Sequence, residues 1–173
     1  MPRDTDLHKA AYKGNANAVR ACIDEDMIDV NEFGAANRTA LHRAVASGST
    51  EVVALLLDRG AIVDIQDKSG RTPLHWAAVV DAVQCAEQLG LAGADINKVS
   101  NTGSTPLHMA ADQGKYNFVA WALQNGADFT LVDNGGMTAY DLAKQNGFKD
   151  IAKLLKPGGS SSSSLFFCGC WPF

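Results

Sequence analysis

The phrase Thr39-Ala40-Leu41-His42 returns as Thr72-Pro73-Leu74-His75 and as Thr105-Pro106-Leu107-His108, with a weaker copy at Thr138-Ala139-Tyr140-Asp141. Each step is 33 residues, and Gly60, Gly93 and Gly126 recur at the same interval, opening Gly60-Ala61-Ile62-Val63-Asp64, Gly93-Ala94-Asp95-Ile96-Asn97 and Gly126-Ala127-Asp128-Phe129-Thr130. A period of this length implies a short supersecondary unit that cannot bury its apolar faces alone, so that copies must stack on one another. The upstream Leu7-His8-Lys9-Ala10-Ala11 lies 34 residues before Leu41-His42, which places one extra residue near Asp24 to Met27.

The punctuation of the unit predicts its local structure. Thr followed by Pro supplies an N-cap hydroxyl and a first helical residue whose missing N–H is no loss, so helices start at Thr72 and Thr105. Gly14, Gly48, Gly114 and Gly147 stand where a left-handed residue would end that first helix. A second run, such as Val52, Val53, Leu55, Leu56 and Leu57, has the apolar spacing of another helix and ends before the Gly60 phrase. The turn-rich Asp67-Lys68-Ser69-Gly70 then leads into the next Thr-Pro.

The T-P-L-H-x-A phrase, the 33-residue step and the G-A-D-I-N phrase resemble ankyrin repeats over about residues 6–155. The resemblance implies an all-α solenoid of helix-turn-helix units with β-turn fingers. Its units run over about 6–38, 39–71, 72–104, 105–137 and 138–156 within a domain at 1–157, and 158–173 form a separate tail. Arg3, Asp4, Lys144, Lys149, Lys153 and Lys156 suit end units that face water. It also implies a protein-interaction adaptor or inhibitor with no bond chemistry of its own; the rival is a non-catalytic targeting or regulatory subunit of an enzyme complex.

Composition narrows the partners. With 15 basic and 19 acidic residues the formal charge is −4, which leaves no excess for gripping a phosphate backbone, so nucleic acid is not expected as a partner. No stretch approaches the length of a membrane-spanning helix, and Met1 to Thr5 has no signal-peptide character, so a monomer in the cytosol or nucleus is expected. Cys22 and Cys85 in the body and Cys168 and Cys170 near the end do not make a disulfide framework.

No cofactor, metal or catalytic site is expected. His8, His42, His75 and His108 occupy one repeat position, and the resemblance gives that histidine a structural hydrogen-bonding role in successive layers. The cluster Asp24, Glu25, Asp26 and Asp29 lacks the ligand pattern of a calcium loop, and no phosphate-binding glycine motif occurs. Cys22 and Cys85 read as buried small hydrophobes, and Trp76, Met109 and Trp121 as core residues. Asn97, in Leu89 to Asn97, resembles a hydroxylation site of ankyrin repeats; its alternative is to cap its own turn.

Ankyrin domains recognise proteins with their turns and the exposed side of their first helices. That register selects Val79, Val80, Asp112 and Gln113 at the helix ends, Phe33, Val99 and Val132 on the turns, and Arg38, Arg71 and Met137 just before the threonines. Local packing between adjacent turns is the competing explanation for the apolar ones.

Beyond Lys156 the composition breaks into Pro157-Gly158-Gly159 and five serines, followed by Leu165-Phe166-Phe167-Cys168-Gly169-Cys170-Trp171-Pro172-Phe173. A glycine-serine linker before an apolar peptide suggests peripheral membrane contact through acylation of Cys168 and Cys170. Prenylation at Cys170, where Phe173 suggests geranylgeranyl but Trp171 and Pro172 depart from the usual aliphatic pair, is an alternative. A PDZ-type ligand or an inert end are the others.

Overall fold

Five threonines set the period. Thr5, Thr39, Thr72, Thr105 and Thr138 each sit in extended backbone at a helix N-cap and form a reciprocal capping box with the residue three places on, which is histidine in four units and Asp141 in the last. The computed structural model describes residues 3–156, and the helices that follow these caps are α1 (Asp6–Tyr12), α3 (Ala40–Ser47), α5 (Pro73–Val80), α7 (Pro106–Asp112) and α9 (Ala139–Gln145). Each returns into a second helix: α2 (Ala16–Asp24), α4 (Thr50–Asp58), α6 (Val83–Leu91), α8 (Tyr116–Gln124) and α10 (Lys149–Leu154). Among the described residues there is no strand, only an isolated bridge between Val132 and Thr138.

The first helices pack in the order α1, α3, α5, α7, α9, and the second helices form a parallel outer row in the order α2, α4, α6, α8, α10. Leu7, Leu41, Leu74 and Leu107 repeat as buried residues of the inner row beside Ala11, Ala44, Ala77 and Ala110. Alanine there lets neighbouring helices approach closely, while the outer row contributes Val52, Val53, Leu56, Cys85, Leu89, Phe118 and Val119. Burial pushes the thiols of Cys22 and Cys85 up from their ordinary range, which suits packing rather than reactivity.

The extra residue of the opening unit is absorbed after α2. The later units close this corner with an amide bonding five residues back, as in Ala61 N–H to Leu56 C=O, whereas Ile28 N–H reaches six back to Cys22. Met27 there takes the left-handed conformation, φ 54°.

At the inter-helix corner Asp81 stands in left-handed backbone, φ 59°, where the other units have glycine. Its carboxylate accepts hydrogen bonds from Phe118 N–H at 2.8 Å and Asn117 Nδ2 at 2.8 Å, so it caps the start of α8 in the following unit. The cap offsets a backbone cost of roughly 1–2 kcal/mol. Asp81→Ala keeps the strain and loses the cap, and urea unfolding should show a loss of about 1–2 kcal/mol. Asp81→Gly relieves the strain and should lie closer to the parent than the alanine variant; the opposite order would mean that the cap contributes nothing.

The turns before each threonine are joined edge to edge. Lys68 N–H donates to Ala36 C=O, Asn101 N–H to Ser69 C=O and Asn134 N–H to Thr102 C=O, at 2.9–3.1 Å. This close approach explains Gly70, φ 72°, where an added Cβ would lie 2.6 Å from the Asn101 nitrogen.

Candidate protein-binding surface

The histidines are consumed by the fold. In each of the first four units Nδ1 lies 2.8–3.0 Å from the N-cap threonine hydroxyl. On the opposite side Nε2 meets a carbonyl just before the next threonine: Arg38 for His8, Arg71 for His42, Ser104 for His75 and Met137 for His108. With the threonine N–H also pointing at Nδ1, this nitrogen is the acceptor and Nε2–H the donor, which requires a neutral ring. Burial pushes His42 and His75 down to about 4 and lowers His108, against the opposing effect of their carbonyl partners. Among the described residues no three His, Cys, Asp or Glu side chains come together as a metal site.

The Asn97 side chain does not cap its own turn, where only its backbone N–H donates, to Asp95 Oδ1 at 3.0 Å. Asn97 Oδ1 accepts from Asp128 N–H of the next unit at 2.9 Å, as Asn31 does from Ile62 N–H at 2.8 Å and Asp64 from Asp95 N–H at 3.0 Å. The side chain at this repeat position therefore ties successive units together, a long-range role that the local turn pattern could not reveal.

Trp76 and Met109 pack against the core from its edge rather than inside it. Both are half-buried and lie where the first helices meet the turns, whereas Trp121 is buried in the outer row beside Phe118. Trp76 Nε1 donates to Asp67 Oδ2 at 3.2 Å, and the Arg38 guanidinium lies over its ring at 4.2 Å while its Nε stands 3.7 Å from the same Asp67 oxygen. Arg71 approaches the ring at 5.8 Å. Asp67 Oδ1 holds the turn through Ser69 and Arg71 N–H. Arg38 and Arg71 are thus half-buried and engaged with Trp76 rather than standing free, because the residues that end the first and second units both lie against the first helix of the third.

The remaining named residues divide between two faces. Phe33, Val99 and Val132 are exposed on the turns at 44%, 48% and 55%, with Met137 half-buried, and Asp112 and Gln113 are exposed at the end of α7. A pocket of about 330 Å³ joins Arg71, Met109, Asp112 and Gln113 to Asp133 and Leu142. Val79, expected to be exposed, is half-buried; Val80 is exposed but opens on a separate groove of about 740 Å³ with Cys85 and Trp121. That second groove is walled by Ala46 to Gly48 at the end of α3, by the α5–α6 corner from Val80 to Gln84, and by Asn117, Ala120 and Trp121 of α8.

A family model for ankyrin repeats in three copies matches residues 7–100 and again 74–162. The chain belongs to the ankyrin-repeat family. Among curated proteins, human BCL-6 corepressor-like protein 1 is 37% identical over 67 residues and rat cortactin-binding protein 2 is 37% identical over 68; each match covers 39% of this ankyrin chain and 4% of the relative. Tyrosine-protein kinase HTK16 of Hydra vulgaris is 35% identical over 69 residues, covering 39% of this chain and 9% of the kinase. The match therefore spans only a small part of each relative's length. The ankyrin fold makes this a protein-protein interaction module, of a kind that is typically non-catalytic. Among the described residues no helix is long and apolar enough to cross a membrane. Cys168 and Cys170 lie outside the described residues.

Proposed function

We propose that the chain is an adaptor or inhibitor that binds a protein partner on the face shared by its turns and first helices. The observation that carries this reading is that Phe33, Val99 and Val132 are exposed at one repeat position in three of the four turns, while the recurring Thr, His and Leu of the first four units are spent on the fold. Exposed apolar groups gathered on one face mark interaction surfaces. The name of one relative, cortactin-binding protein 2, describes binding. The kinase relative favours the second reading, a targeting or regulatory element for an enzyme partner. The apolar tail and its Cys168 and Cys170 support tethering by acylation, with the body in the cytosol or nucleus.

The test is a pull-down from native extract with the triple variant Phe33→Glu, Val99→Glu, Val132→Glu as the comparison. These side chains are exposed, so the melting temperature should move by no more than a few degrees, whereas retention of a specific partner should fall at least tenfold. Unchanged retention would place binding elsewhere, with the groove beside Val80 as the next surface. Fractionation of full-length protein against Cys168→Ser with Cys170→Ser tests the tether: equal distribution of the two between membrane and soluble fractions would rule it out.

A further inference from the structure

Internal repetition allows the sites of one unit to be read against another. Asp67 and Asp133 are two steps apart, and each uses Oδ1 to hold its turn, Asp133 accepting from Gly135 N–H at 2.8 Å and Met137 N–H at 3.0 Å. Their second oxygens differ. Asp67 Oδ2 takes the Trp76 indole N–H and the Arg38 cation. The residues in the corresponding places around Asp133 are Leu142, which has no donor, and Ser104, whose hydroxyl bonds Thr102 at 3.1 Å. Among the described residues no side chain reaches Asp133 Oδ2, and this carboxylate lines the 330 Å³ pocket floored by Met109 and Leu142. Around Asp67, then, Arg38 of the first unit and Trp76 of the third fill a site that stands open around Asp133 two steps later.

We infer that this pocket receives a basic side chain, arginine above all, from the partner protein. The inference rests on the proposed binding face and names what that face recognises. The guanidinium would lie across Met109 and Leu142, as Arg38 lies across Trp76, and donate to Asp133 Oδ2. Asp112 on the rim, whose Oδ1 already accepts from Asn146 Nδ2 at 2.8 Å, adds negative charge on the same side. Arg71 also lines the pocket, its guanidinium drawn toward the Trp76 ring at 5.8 Å, and its positive charge favours an acidic neighbour beside the incoming basic side chain. His108 also lines the pocket, but its Nε2 is engaged by the Leu131 and Met137 carbonyls and adds no competing charge.

Two experiments on the full chain test this. In the first, capped dodecapeptide pools with Arg, Lys, Gln or Glu fixed at one central position and the rest randomised are passed over immobilised protein. The Arg pool should be retained at least tenfold over the Gln and Glu pools, and Asp133→Asn, which keeps the Oδ1 acceptor of the turn, should abolish that preference without lowering the melting temperature by more than about 2 °C. Equal retention of all pools, retention of none, or an Arg preference that survives Asp133→Asn would overturn the inference. Equal retention lost in the Phe33, Val99, Val132 variant would overturn it while leaving the binding face intact. The second experiment needs no partner: Ser104→Arg with Leu142→Trp transplants the Arg38–Trp76 pair to the places around Asp133. It should raise the melting temperature by roughly 2–4 °C and remove Arg-pool retention; a double variant no more stable than the parent would show that the two sites are not equivalent.

Discussion

Between pH 7.5 and pH 4.5 the protein should lose most of its folding stability, well before its depressed carboxylates are protonated. The cause is the ladder of neutral histidines, with burial holding His42 and His75 at about 4 against an ordinary 6.5 and lowering His108. The unfolded chain takes up these protons as the pH falls below about 6.5, while the folded chain resists until about 4. Stability from each ring is therefore complete above 6.5 and is withdrawn across that window, by up to roughly 3 kcal/mol for each of His42 and His75. The carboxylates of Asp24 and Asp141, held down by bonds from Arg59 and Thr138, act in a lower window as the pH falls through their own depressed values. Urea unfolding followed by circular dichroism at pH 7.5, 6.0, 5.0 and 4.5 measures the effect. The variant His42→Asn with His75→Asn should be weaker at pH 7.5 yet flatter across the series. A variant as steep as the parent would assign the acid sensitivity to other groups.

Leu74→Asp should cost more than 4 kcal/mol, because it buries an unpaired carboxylate between α5 and its neighbours, where Leu74 is 1% exposed. In a stack where each unit touches only the next, damage at the centre uncouples the two halves. Thermal unfolding should broaden or split into two phases, with the arms from α1 to α4 and α7 to α10 melting separately. Leu154→Asp, on the exposed side of the last helix, is the control and should change stability by about 0.5 kcal/mol or less. A single sharp transition for Leu74→Asp, merely shifted down, would mean that the units are coupled beyond nearest neighbours.

Legibility followed the range of the interaction. The caps at Thr72 and Thr105, the left-handed glycines at Gly48 and Gly114 and the helix pairs are decided within about a turn of chain, so a pattern of neighbours suffices to read them. The role of the histidines was also readable, because the same residue at the same place in four units rules out convergence on one point. The misreadings lie where a side chain is claimed by another unit. Asn97 reaches Asp128, and Trp76, packed against the edge of the core, is held there by Asp67 and Arg38. Val79 and Val80 were adjacent in sequence and parted by the helix, one half-buried and one on a different groove from the turns.

By itself, then, the sequence determined the period, the all-α ankyrin solenoid and the residues that its units spend on capping and core, because repetition forces one solution on every copy. Only the tertiary structure decided which carboxylates are satisfied and which stand open. Asp67 and Asp133 look alike in the chain, and their difference lies in Arg38, Trp76, Ser104 and Leu142, which the folded stack alone brings beside them.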